Sequence, residues 1–187
     1  PNTLSLWIIN KLYKKEKEMF RFLLGALGLA IVAASCLKNE DNRACPYTPS
    51  SVTAPGTEQS ALATYLDTNG IDAIKHPAGF YYQVLTPGTG TDSVGLCSQI
   101  QVTYTGRFIN DTIFDKQTGV VFILGDLIEG WKKSIPMLRK GGEMKLYIPP
   151  SLGYGNEDIK NRDGEVVIPK NSILKFDLKL VDYTKAN

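Results

Sequence analysis

From Gly79 to Tyr183 the chain beats with a period of two, and one stretch departs from it. Ile100, Val102 and Tyr104 alternate with Gln101, Thr103 and Thr105, and Val120, Phe122 and Leu124 alternate up to Gly125. Met144, Leu146 and Ile148 alternate with Lys145 and Tyr147, and Leu174, Phe176, Leu178 and Leu180 alternate with Lys175, Asp177 and Lys179. Phe80 to Leu85 adds a further strand, stopped by Pro87-Gly88-Thr89-Gly90. Successive side chains of a strand point to opposite faces, so this rhythm marks half-buried strands. The exception begins at Gly130-Trp131, where Trp131, Ile135 and Leu138 fall at i, i+4 and i+7 on one helical face. Pro136 lies inside that helix and removes a backbone bond, which predicts a short or bent helix ended by Gly141-Gly142. One helix can cover only one sheet face. The expected fold is therefore α+β, a curved antiparallel sheet of about five strands wrapped around one short helix.

Ahead of this body, Thr57-Glu58 opens a helical stretch with Ala61, Leu62, Tyr65 and Leu66 on one face, closed by Asn69-Gly70. Residues 58–78 thus read as a short N-terminal helical arm, either packed on the main domain or used for dimerisation. Residues 36–57 are rich in Pro, Ser, Thr, Asn and charge and read as a flexible tether.

The first 35 residues read as an address. Met19-Phe20-Arg21 precedes an apolar run from Phe22 to Ala34. Its 13 residues fall short of the roughly 20 needed to span a bilayer. Basic residues before the run and small ones after it give the layout of a secretory signal peptide. Ala33-Ala34-Ser35-Cys36 resembles the lipobox of bacterial lipoproteins, which makes Cys36 the expected site of lipidation; the alternative is a plain secretory signal. Residues 19–35 are then the signal peptide, and residues 1–18, which suit neither a signal nor a domain, a leader outside the native protein. Glu40 and Asp41 soon after the cysteine, with Leu37 directly after it, resemble outer-membrane sorting in Gram-negative bacteria, facing periplasm or cell surface.

The net charge of +2 belongs to that leader. Residues 1–35 hold five basic and two acidic side chains, leaving sixteen basic and seventeen acidic in the rest, a net charge of −1. A near-neutral body gives no electrostatic case for nucleic-acid binding. Cys45 and Cys97 are the two remaining thiols of an exported chain, either bridged or free. With no C-x-x-C and with His76 as the single histidine, neither a zinc site nor another cofactor is expected.

Several ordered motifs carry a resemblance over the whole body. They are Val102-Thr103-Tyr104-Thr105-Gly106, Phe114-Asp115, Phe122-Ile123-Leu124-Gly125, Ile128-Glu129-Gly130-Trp131, Leu138 to Gly142 with Ile148-Pro149-Pro150, Leu152-Gly153-Tyr154-Gly155, and Ile168-Pro169 with Leu174-Lys175-Phe176-Asp177-Leu178. In this order and spacing they resemble the FKBP-type peptidyl-prolyl isomerases, the macrolide-binding family. The resemblance implies a sheet curved around a short helix and catalysis of X–Pro rotation. It implies Trp131 as the floor under a proline ring, and Tyr104, Phe114 and Phe176 as apolar walls. Val120, Leu127, Ile128 and Ile168 would complete the pocket, with Tyr154 donating its hydroxyl to the substrate carbonyl. Asp115 would orient the ligand or a neighbouring tyrosine.

Proline-containing unfolded or exported proteins are the partners this implies, with macrolides as inhibitors and the membrane reached through the lipid anchor. Three departures stand out. Val120 occupies a position that is often aromatic, and Asp115 is followed by Lys116-Gln117-Thr118-Gly119 with no Arg. Residues 156–167 form a longer, more charged loop than usual, read either as a selector of substrates or as a solvated surface loop. The alternative functions are a low-activity or inactive peptide-binding chaperone module on the same fold, and a lipid-anchored adhesion or assembly component.

Overall fold

The structure, a computed structural model, describes residues 44–185. The leader, the signal segment and Cys36 lie outside these residues. The elements in order are α1 (Gly56–Thr68), β1 (Ile74–Lys75), β2 (Tyr81–Thr86), β3 (Gln99–Phe108), β4 (Ile113–Ile123), α2 (Glu129–Ser134), β5 (Glu143–Ile148), β6 (Ile159–Lys160), β7 (Val166–Ile168) and β8 (Leu174–Tyr183). Six strands form one antiparallel sheet in the order β1-β2-β5-β8-β3-β4, and β6 and β7 form a separate ribbon.

The alternating residues take the positions their period demands. Ile100, Val102, Leu146, Ile148, Leu174 and Leu180 are fully buried on the sheet's inner face. Against them sits α2, whose backbone tightens after Ser134 into a 3₁₀ turn over Ile135–Met137. Pro136 in that turn has no N–H to continue an α-helix. Ile135 and Leu138 remain in the core with no exposed surface.

Strand β4 begins at Ile113, well before the alternation starting at Val120. After Ile113-Phe114 it is polar from Asp115 to Thr118, and a register shift between Val102 and Tyr104 interrupts the pairing of β3 with β4 there. A bulge inserts an unpaired residue and breaks the period of two. The two residues of β1 are both exposed and show no pattern. Strand β1 raises the expected five strands to six in the main sheet.

The outer face is not bare. Leu62 and Leu66 of α1 are buried with Tyr147, beside Tyr65, Ile71, Tyr81 and Ile173. Tyr147 and Tyr81 are cross-strand partners on β5 and β2, so α1 covers that part of the sheet opposite α2.

The flexible tether expected over 36–57 needs correction in its described part. Residues 45–55 form a strap laid along the body. Cys45 is bonded to Cys97, with Cα atoms 5.8 Å apart. The Tyr47 hydroxyl donates to Asp126, the Lys133 ammonium donates to the Ser50 carbonyl, and the N–H of the buried Ala54 donates to the Ala78 carbonyl at 2.8 Å. A polar, Pro-rich composition leaves little to bury, and here a covalent bond and long-range hydrogen bonds hold the segment instead. Among the described residues no helix is long and apolar enough to cross a membrane.

Candidate active site

The inner end of the sheet and the start of α2 enclose a cavity of about 230 Å³ lined mostly by aromatic side chains. Trp131 comes from the first turn of α2 and is buried. Around it stand Tyr104 from β3, Phe114 from β4 and Phe176 from β8. The Tyr104 and Trp131 ring centroids lie 5.0 Å apart, Trp131 and Phe176 5.2 Å, and Phe114 and Phe176 5.7 Å, all edge to face. Edge-to-face contact sets the positive rim of one ring against the negative face of the next, so these rings brace each other. Gly106 makes the arrangement possible. A Cβ there would come within 2.6 Å of Phe114 Cζ and 2.9 Å of Phe176 Cε1.

Polar groups are few. The Tyr104 hydroxyl donates to Asp115 Oδ2. Burial, then the Asp115 hydrogen bond and charge, push the Tyr104 phenol well above its ordinary range. Burial and the Asp115 charge also raise Tyr154. Both phenols are thereby kept as neutral donors. Tyr154 is 39% exposed, where the cavity opens to solvent.

Its turn is anchored. The Gly155 N–H donates to the Pro150 carbonyl at 2.8 Å, and the Glu58 carboxylate of α1 accepts from the Ser151 N–H at 2.9 Å and the Ser151 hydroxyl at 2.7 Å. Gly155 has φ +77°, a conformation that costs glycine little.

Of the residues singled out from sequence, Tyr104, Phe114, Asp115, Leu127, Ile128, Trp131, Tyr154 and Phe176 all line this one cavity. Two expectations need correction. Val120 shares the inner face of β4 but lies opposite Val102, off the lining, and the larger ring of Phe122, two residues on, forms that wall. Ile168 is buried in β7 and packs in the core without lining the cavity. Phe122 was within reach of the sequence, since it sits in the alternation Val120, Phe122, Leu124. The charged loop 156–167 contains the β6–β7 hairpin, closed by Asn161, whose side-chain oxygen accepts from the N–H groups of Asp163 and Glu165.

A larger cavity, about 440 Å³, lies between the strap and the outer side of α2. His76 is its single aromatic ring, and charged Glu129, Lys132 and Lys133 line it without apposed aromatic walls. Among the described residues, no three His, Cys, Asp or Glu side chains gather as metal ligands do.

An aromatic cavity between a short helix and a curved antiparallel sheet has the size and lining to suit a compact apolar ring with a polar neighbour. Residues 91–181 match the family of FKBP-type peptidyl-prolyl cis-trans isomerases. A relative, the FKBP-type peptidyl-prolyl cis-trans isomerase FkpA of Buchnera aphidicola, is 39% identical over 112 residues, 58% of this chain and 42% of the relative. A probable FKBP-type peptidyl-prolyl cis-trans isomerase of Haemophilus influenzae is 27% identical over 172 residues, 90% of this chain and 65% of that protein. The crystal structure of a peptidyl-prolyl cis-trans isomerase from Pseudomonas syringae pv. tomato superposes with a TM-score of 0.58 at 26% identity, over 72% of this chain and all of that one. Residues 91–181, which hold most of the cavity-forming sheet and helix, match as a domain of the FKBP-type peptidyl-prolyl cis-trans isomerase family. The chain spans roughly half the length of these curated relatives, 42% of one and 65% of the other.

Proposed function

We propose that this protein catalyses cis–trans isomerisation of X–Pro bonds in exported polypeptides. The observation that carries this reading is the convergence of Trp131, Tyr104, Phe114, Phe122 and Phe176 on one small cavity with the Tyr154 phenol at its opening. Rotation about an X–Pro bond must break amide resonance, against a barrier of about 18–20 kcal/mol. In the twisted state the carbonyl is less polar than in the planar amide. An aromatic, poorly hydrated cavity therefore disfavours the planar ground state more than the twisted one. Trp131 and the surrounding rings hold the prolyl ring, which stays fixed while the acyl side turns. Tyr154, kept neutral, donates to the acyl carbonyl, and Asp115 fixes the Tyr104 wall through its hydroxyl. An acceleration of about 10⁴ to 10⁵ requires only some 5.5–7 kcal/mol of differential stabilisation, within reach of binding and desolvation.

The signal-like segment before Cys36 and the bond between Cys45 and Cys97 support an oxidising, exported location, with Cys36 as a lipid anchor in the outer membrane. Proline-containing unfolded chains in that compartment are the substrates this reading assigns. NMR exchange spectroscopy on an X–Pro peptide tests it through accelerated cis–trans exchange in the presence of the protein.

A further inference from the structure

The turn that leads into the cavity wall is gripped from two sides, and the disulfide joins the two grips. This turn, a 3₁₀ element over Leu124–Asp126, directly precedes Leu127 and Ile128 of the lining. On one side stand the residues flanking Cys97. The Leu96 carbonyl accepts from the Gly125 N–H at 2.7 Å, and the Ser98 carbonyl accepts from the Leu124 N–H at 3.1 Å. On the other side stands Tyr47, two residues after Cys45. Its ring lies so close over Gly125 that a Cβ there would fall 2.3 Å from Tyr47 Cγ, and its hydroxyl donates to Asp126 Oδ1. The same strap reaches α2, where the Lys133 ammonium donates to the Ser50 carbonyl, two residues beyond Trp131.

A turn this short makes little structure of its own, its Leu127 N–H donating to the Leu124 carbonyl at 3.2 Å. Its placement therefore depends on what surrounds it. We propose that the strap, with Tyr47 as a positioning residue and the Cys45–Cys97 bond as its fastening, sets the Leu127–Ile128 wall of the cavity, so that affinity for an X–Pro peptide depends on that bond. The proposal rests on the isomerase reading for its ligand. Tyr47 touches no lining side chain in this scheme. It acts through Gly125 and Asp126, so its loss weakens peptide binding in ground and transition state alike and raises KM while sparing kcat.

The test compares the protein with its Tyr47→Phe, Tyr47→Ala and Cys45→Ser/Cys97→Ser variants. KM and kcat are measured with a short X–Pro peptide at a temperature where circular dichroism shows every variant folded. The proposal expects Tyr47→Ala and the double cysteine variant to raise KM about three- to tenfold with kcat changed less than about twofold, and Tyr47→Phe, which keeps the ring on Gly125, to recover most of the affinity. Should the variants lower only the melting temperature and keep the wild-type KM, the strap is a stabilising element and the proposal is overturned. If the cysteine variant does not fold, the Tyr47 pair decides.

An inactive wild-type protein would contradict the isomerase reading instead, and the clamp is then judged by NMR. Displaced Leu127 and Ile128 amide signals and a displaced Trp131 indole N–H signal in Tyr47→Ala support the clamp. Unchanged signals overturn it.

Discussion

Asp115 of β4 accepts a hydrogen bond from the hydroxyl of Tyr104 on β3, although the two residues are not cross-strand partners: Tyr104 pairs with Gln117, and Asp115 with Gly106. The bond is diagonal across the bulged part of the ladder and aims a carboxylate at one wall of the cavity. A hydrogen bond to a charged group contributes about 1.5–3 kcal/mol, so Asp115→Ala should lower kcat/KM roughly tenfold or more. Tyr104→Phe should cost a similar factor. Because both changes break the same bond, the double variant should cost clearly less than the product of the two. Full multiplicativity would show that Asp115 acts on substrate independently of Tyr104.

The raised phenols make a statement about pH. Tyr104 and Tyr154 both lie above the ordinary tyrosine value of 10.0 in the folded protein, chiefly through burial. A group raised on folding adds stability that is fully present below its unfolded value and is lost as pH climbs through the folded one. Neither tyrosine should therefore destabilise the protein or cost it a donor below about pH 10. A kcat/KM profile should show no loss from these groups between neutrality and that point, and Tyr154→Phe should lie below the wild type by a constant factor across it. A wild-type loss centred below pH 10 and absent in Tyr154→Phe would contradict the assignment.

Gly106 is a sensitive point of the wall. An added Cβ meets Phe114 at 2.6 Å and Phe176 at 2.9 Å, both rigid rings. Gly106→Ala should cost about 1–3 kcal/mol of stability through overpacking. It should also reduce kcat/KM by moving both rings, a combination that denaturant titration and kinetics would separate.

Burial of Leu62 and Leu66 within one chain bears on the arm. Leu66 is 2% exposed, and Leu66→Ala should cost about 2–5 kcal/mol, read as a lower denaturant midpoint with unchanged slope. Because the contact is intramolecular, the midpoint should not depend on protein concentration. A concentration-dependent midpoint would favour the dimerisation reading of α1.

The parts of this fold that sequence made legible are those where burial imposes a period. Ile100, Val102 and Tyr104, or Leu174 to Leu180, face a core on one side and water on the other, and the pattern records it. The short β1, with exposed Ile74 and Lys75, bears no such imprint, and the bulge beside Tyr104 erases it from the first half of β4. The strap escaped for another reason. Tyr47 and Ser50 are held by partners far along the chain, Asp126 and Lys133, and nothing local in a Pro- and Ser-rich segment records such contacts. The site was read through ordered motifs, and eight of its residues line one cavity. Val120 and Ile168 do not, because motif position fixes a residue along a strand but not how far its side chain reaches.

The central claim is that the cavity around Trp131 turns X–Pro bonds, and the most direct measurement is cis–trans exchange of a proline peptide with the wild type, Trp131→Ala and Tyr154→Phe side by side. The account predicts exchange well above the spontaneous rate for the wild type, a loss of at least about tenfold in each variant, and folded spectra for all three. A folded wild type that leaves the exchange rate at its spontaneous value would contradict it.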